Sequence, residues 1–513
     1  MLNKSPRRQS GILVHPTSFP GPYGIGDLGD GAYAFIDFLS TAGQRIWQCL
    51  PLGPTGFGDS PYQAFSAFAG QPLLISPDGL VSLGLLSKEE FPSHPKWDAE
   101  HADYTAARTF KTELLNIAYT HFSTPAFPEL HKEFSIFCKD EAEWLDTYAL
   151  FMTLKDAHNG KCWTEWEACY KFPTADELDA FSKKNQKAID YYRFVQFLFY
   201  RQWNKLKNYA HKKGIAIIGD LPIFVSGDSS DVWAHKELFL LDVDGNPAVS
   251  AGVPPDYFSA TGQLWGNPLY NWKAHEKEGY HWWISRMKQQ LRMTDRVRID
   301  HFRGFESYWS IPAGETTAIN GKWEKGPGAA FFKALQHAFD TPLPIIAEDL
   351  GIITPEVEAL RDECGFPGMR ILQFAFDTVE DNNYLPYNYE KNCVCYTGTH
   401  DNDTTRGWYR QASPESQDKV RRYMNCDGSN VHWDFIRLAL SSPADLAIFP
   451  LQDVLGLDSE ARMNTPGTPS GNWTWRYKAD ALNNGTADYL KELSTLFGRN
   501  QSHTELDTVI KED

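Results

Sequence analysis

Short apolar runs recur along this chain, each bounded by turn residues, and several of them end on an acid. They lie at 44–52, 72–77, 215–224, 296–300, 344–349, 369–374, 394–401 and 446–453. Near-continuous apolar runs of this length mark strands buried on both faces, as in a parallel sheet. Helical periodicity sits between them at 32–42, 191–213, 282–293 and 329–339. Eight strands alternating with helices predict a (β/α)8 TIM barrel, a fold that usually occupies roughly 250 residues. The chain has 513 residues, so the surplus must be insertions within one catalytic barrel spanning 1–513. Two are visible. Residues 78–190, between the second and third runs, read as a mostly helical insertion. Residues 225–281, between the third and fourth, are rich in Gly, Pro, Asp and aromatics. Both leave the strand ends that form the active-site face of such barrels. After Asp401 only 112 residues remain (513 − 401). They must supply a helix, the last strand and a last helix, which leaves little room for a C-terminal β-domain.

Composition narrows the function classes. A net charge of −17 disfavours nucleic acid and anionic membrane as partners. The eight cysteines, Cys49, Cys138, Cys162, Cys169, Cys364, Cys393, Cys395 and Cys426, form no C-x-x-C pair, so no metal is expected. Cys393 and Cys395 are two apart and share one strand face as reduced core residues. Residues 1–10 are basic and polar, and only Ile12, Leu13 and Val14 follow before His15. That is no signal-peptide core and no membrane span, and a cytoplasmic protein is expected. Monomer and homodimer stay open. Aromatics reach 14%, which serves either a large core or stacking platforms for apolar ring faces.

The acids at the strand ends carry the chemistry. Asp300 closes the fourth run, Glu348 the fifth and Asp401 the seventh. An acid at the C-terminal end of a barrel strand points at substrate, where a buried charge is otherwise costly. Glycosidic cleavage needs one carboxylic acid to protonate the leaving oxygen and one carboxylate at the anomeric carbon. Arg298 lies two residues before Asp300, on the same strand face, and can hold it ionised. Glu348 must begin protonated, which neighbouring carboxylates favour. His301 and His400 can hydrogen-bond sugar hydroxyls. Taken singly, each acid has a structural reading: an Asp300–Arg298 ion pair, a helix cap at Glu348-Asp349, a metal loop at Asp401-Asn402-Asp403. The last lacks the Gly and distal Glu of a calcium loop.

These segments resemble the motif regions of α-amylase-type enzymes, and within that group the amylomaltases, or 4-α-glucanotransferases. The stretches 59–63 (Asp59 to Gln63), 252–259 and 262–268 carry the resemblance most specifically, and it runs from about Gly11 to Gly498. Asp220 is followed by Leu-Pro-Ile-Phe-Val, where α-amylases have Asn-His, and this favours the amylomaltase branch. The resemblance implies Asp300 as nucleophile, Glu348 as general acid/base and Asp401 as transition-state stabiliser. It implies substrate contacts from Ser60, Tyr62, Asp220, Tyr257, Trp265, Arg298, His301, His400 and Asn472. It places the loop 252–259 over the cleft and needs no cofactor. The partners it implies are maltooligosaccharides, starch- or glycogen-derived glucans, and glucose. An α-amylase-like hydrolase and a non-catalytic glucan-binding barrel are the competing readings, since the acids alone do not choose between sugar and water as acceptor.

Overall fold

A computed structural model describes residues 8–255, 259–376, 382–468 and 470–500. Its centre is an eight-stranded parallel sheet formed by β1 (Gln9–Leu13), β2 (Ile46–Gln48), β3 (Ala216–Pro222), β6 (Arg296–Asp300), β9 (Ile345–Ala347), β10 (Gly368–Ile371), β11 (Cys393–Tyr396) and β12 (Leu446–Pro450). The pairing runs β10-β11-β12-β1-β2-β3-β6-β9. Between β9 and β10 the ring closes through the Ala347 N–H donating to the Pro367 carbonyl at 2.9 Å. The Met369 N–H donates to the Asp349 carboxylate at 2.6 Å beside it. This is the expected (β/α)8 barrel.

One strand assignment is corrected. The run 72–77 is a 3-10 turn, Pro72–Leu74, entering the helix Pro77–Ser82. Proline lacks the N–H that a central strand must donate, so this apolar run packs as a turn. The missing strand is β1, Gln9–Leu13, buried along its whole length. Gly11 is required there, because a Cβ would lie 2.3 Å from the Ile46 carbonyl oxygen. The run 44–52 therefore supplies β2, the second barrel strand, and the excursion between β2 and β3 starts directly after Gln48.

That excursion carries helices, among them Tyr104–Phe122, Ala142–Ala157 and Gln186–Lys212. The last presents Val195, Phe199, Trp203, Leu206 and Ala210 to the core at the three-to-four-residue spacing of one helix face. Trp203 packs on Trp47 of β2, with ring centroids 5.7 Å apart. A second, antiparallel sheet has the order β5-β4-β7-β8, with β4 (Val249–Val253), β5 (Gln263–Pro268), β7 (Ser307–Pro312) and β8 (Lys322–Lys325). Its strands come from the segments after β3 and after β6, and it stands beside the barrel mouth. After β12 the described elements are helical, ending with Asn484–Leu496, and no strand follows β12 among the described residues.

Candidate active site

Three strand ends bring the acids together. Asp300 is the last residue of β6, Glu348 follows β9 by one residue, and Asp401 lies in the turn after β11. All three line one cleft of about 590 Å³ at the barrel mouth.

A buried cation organises the floor. Arg298 Nη1 donates to both oxygens of Asp220, at 2.9 and 2.7 Å, and Nη2 lies 3.0 Å from Asp300 Oδ1. Arg298 and Asp220 are buried, whereas the Asp300 side chain is 29% exposed, so one oxygen face is open to the cleft. Burial works against the Arg298 charge, and the carboxylates of Asp220 and Asp300 outweigh it. Tyr62 extends the network. Its hydroxyl lies 3.0 Å from Asp220 Oδ2 and 2.9 Å from His400 Nε2, and its ring stacks on His400 at 5.3 Å. Burial pushes Asp220 up to about 7 against the pull of Arg298.

Glu348 has a different environment. It is buried, and it accepts the His301 N–H at 2.7 Å and the Leu350 N–H at 2.9 Å. His301 takes a left-handed backbone, φ 54°, uncommon for a residue with a side chain. That turn aims its N–H at Glu348. Burial raises the Glu348 carboxyl to about 8; Arg298 opposes the shift and the Asp300 charge adds to it. The direction of this shift favours the protonated carboxyl at Glu348. Glu348 caps no helix, because Thr354 occupies the N-cap of Pro355–Cys364. Its neighbour Asp349 is structural, ion-paired with Arg361 at 2.6 Å.

Asp401 is gripped by residues that no sequence motif singled out. Asn464 Nδ2 donates to Asp401 Oδ1 at 2.6 Å, and Arg462 Nη2 donates to the Asp401 carbonyl at 2.6 Å. The Asn464 N–H also donates to the His400 carbonyl at 3.1 Å. Asn402 is spent on Thr399, whose N–H and hydroxyl it binds at 2.9 Å. Among the described residues no group of three or more His, Cys, Asp or Glu could hold a metal ion.

Of the remaining expected contacts, Ser60, Trp265, His301, His400 and Asn472 line the same cleft. Trp265 meets the His301 ring edge-on at 4.9 Å. His301 is buried with Nε2 unpartnered, and burial lowers its pKa to about 3, so the ring is neutral. Burial likewise lowers His400, with Asp401 opposing. Ser60 lines the cleft, and its hydroxyl accepts the Tyr62 N–H at 3.3 Å. Asn472 lines it too, but its amide is bonded to the Thr465 N–H and the Thr468 carbonyl, so it shapes its own loop. Tyr257 lies outside the described residues. Gly252 and Val253, which open the 252–259 loop, belong to β4.

Comparison with known proteins decides the family. The model of the 4-alpha-glucanotransferase family matches residues 14–482. The chain belongs to that family. A 4-alpha-glucanotransferase of Synechocystis sp. is 52% identical over 508 residues, covering 98% of this chain and all of that protein. One from Thermus thermophilus is 50% identical over 477 residues, 91% of this chain and 94% of that protein. The amylomaltase of Streptococcus agalactiae, solved in complex with acarbose, superposes with a TM-score of 0.92 at 39% identity, covering 96% of this chain and 100% of that one. The activity is that of a 4-α-glucanotransferase, and the acids at the barrel mouth are to be read against glucan transfer.

Proposed function

We propose that the enzyme moves a 1,4-α-glucan segment from a donor to the 4-hydroxyl of glucose or another glucan by a retaining double displacement. Glu348 protonates the glycosidic oxygen while Asp300 attacks the anomeric carbon. The C–O bond breaks, the reducing-end fragment leaves, and a β-glycosyl ester forms on Asp300. The acceptor 4-hydroxyl then gives its proton to the Glu348 carboxylate and attacks the same carbon, which releases Asp300 with the α configuration restored. Asp401, fixed by Asn464, stabilises the oxocarbenium-like transition state of each of the two steps, before and after the covalent ester. The carrying observation is the divergence of two carboxyl environments in one cleft. Glu348 is buried and raised to about 8, while Asp300 is ion-paired to Arg298. Pairs of acids driven apart in this way divide acid from nucleophile.

The choice of sugar over water needs more than the acids. Water stands at about 55 M against an acceptor at ~1 mM, so a ~100-fold preference for sugar requires about 9 kcal/mol at ~1.36 kcal/mol per tenfold. Holding an acceptor in position supplies roughly 7–11 kcal/mol, provided the site is kept dry. Trp265, residues 465–468 and Asn472 are cleft walls suited to that task. The substrates this reading assigns are maltooligosaccharides and starch- or glycogen-derived glucans, handled in the cytoplasm. No helix among the described residues is long and apolar enough to cross a membrane. Incubation with maltotriose tests the reading. The expected result is glucose plus a ladder of longer maltooligosaccharides at constant total reducing ends. Rising reducing ends would replace it with hydrolysis.

A further inference from the structure

The cleft extends beyond the acids to Trp323, on β8 of the small antiparallel sheet. This indole is 40% exposed, yet it is firmly held. The Arg303 guanidinium lies over its ring, 3.8 Å from the centroid. Trp309, its cross-strand partner on β7, meets it at 5.1 Å and 69°. Arg303 is itself buried, and its donors are committed: Nη1 to the Ile352 carbonyl, Nη2 to the Ser307 hydroxyl at 3.0 Å, and Nε to the Ser307 carbonyl at 3.4 Å. Trp309 is fixed in turn by its Nε1–H donating to the Ala318 carbonyl at 2.8 Å. One indole face is therefore covered by a cation and one edge by an aromatic. The exposed part of the ring borders the cleft, with Ile352, 46% exposed, also on the cleft wall.

An immobilised aromatic face gives up little conformational entropy when a ligand covers it. The apolar C–H face of a glucose ring, rimmed by hydroxyls, suits such a surface. Charge also selects the ligand. Lys322 and Glu324, the strand neighbours of Trp323, project to the opposite face of β8 and pair with each other at 2.6 Å, so neither sets a charge on the cleft beside the indole, which suits a neutral molecule. Resting on the glucan-transfer reading above, we propose that Trp323, braced by Arg303, is a stacking platform for a glucose unit of the same glucan chain, remote from the bond being broken. The platform connects to the catalytic floor at both ends. Arg303 follows Asp300 by three residues, and the Ile352 carbonyl that Arg303 binds lies two residues past Leu350, whose N–H binds Glu348.

The test is chain-length selectivity. The kcat/KM of wild type, Trp323→Ala and Trp323→Phe is measured with maltoheptaose and with maltotriose as donor, glucose being the fixed acceptor. The expected result is that the maltoheptaose-to-maltotriose ratio falls about tenfold in Trp323→Ala and returns to within about threefold of wild type in Trp323→Phe. Damage to the fold alone would lower both substrates together, and an unchanged ratio in Trp323→Ala overturns the platform while the transfer reading stands. Absence of any transfer by the wild type would overturn that reading, and the platform with it.

Discussion

Replacing Glu348 by Gln should raise the stability of the protein at alkaline pH while stopping its chemistry. The Glu348 carboxyl moves from 4.5 to about 8 on folding, through burial first, with Asp300 adding to the shift. A raised acid binds its proton more tightly in the folded state, so between these values the native protein holds a proton that the unfolded chain has lost. Stability then falls as pH rises from about 4.5 to about 8 and is level above. The full span, at ~1.36 kcal/mol per pH unit, is about 5 kcal/mol. Gln removes this dependence but sets its amide nitrogen against one of two backbone donors, His301 N–H or Leu350 N–H, at about 1–3 kcal/mol irrespective of pH. Glu348→Gln should thus be the less stable protein at pH 5 and the more stable by about 2–4 kcal/mol at pH 9. Urea unfolding followed by fluorescence at both pH values reads this difference directly. A stability difference that does not change with pH would show that Glu348 is already ionised in the native protein. Its role as a resident acid would then fail.

Other substitutions separate the remaining parts. Asn464→Asp places a second carboxylate where the 2.6 Å bond to Asp401 now stands, so the acidic limb of the kcat/KM profile should move up by about one pH unit or more; an equal loss at every pH would contradict a role through Asp401. Tyr62→Phe deletes the hydroxyl shared by Asp220 and His400, and a loss of roughly 10–100-fold in kcat/KM is expected for bonds to charged or polarised partners; a loss under about threefold would remove Tyr62 from the network. Dialysis against a chelator should leave the maltotriose ladder unchanged, as checked by chromatography of the products.

The sequence exposed the site better than it exposed the sheet. Asp300, Glu348 and Asp401 were legible because each ends an apolar run, and the barrel topology obliges such ends to converge. Arg298 was legible through the two-residue strand period, and its 3.0 Å contact with Asp300 follows from it. β1 was hidden because Gln9, Ser10 and Gly11 are buried without being large or apolar. Run 72–77 misled for the opposite reason: apolar residues flanked by proline were buried in a turn. The second sheet was illegible because its strands come from two separate excursions, and residues such as Gln263 and Lys322 carry no apolar alternation. Asn464 and Arg462 escaped notice because they reach Asp401 from a loop after the last strand, where strand-end reasoning does not extend. Nothing in the sequence sets Trp323 apart from the other aromatics; the Arg303 guanidinium across its face is a tertiary feature.

The most direct test of the central claim is to trap the sugar on the enzyme. Glu348→Gln is incubated with a maltotriosyl fluoride whose non-reducing 4-hydroxyl is blocked. Fluoride leaves without an acid, while release of the sugar still needs the missing base, so the glycosyl-enzyme should accumulate. Peptide mass spectrometry should find the adduct on Asp300. Attachment to Asp401 or Asp220, or fluoride release with no adduct on the protein, would contradict the double displacement at Asp300.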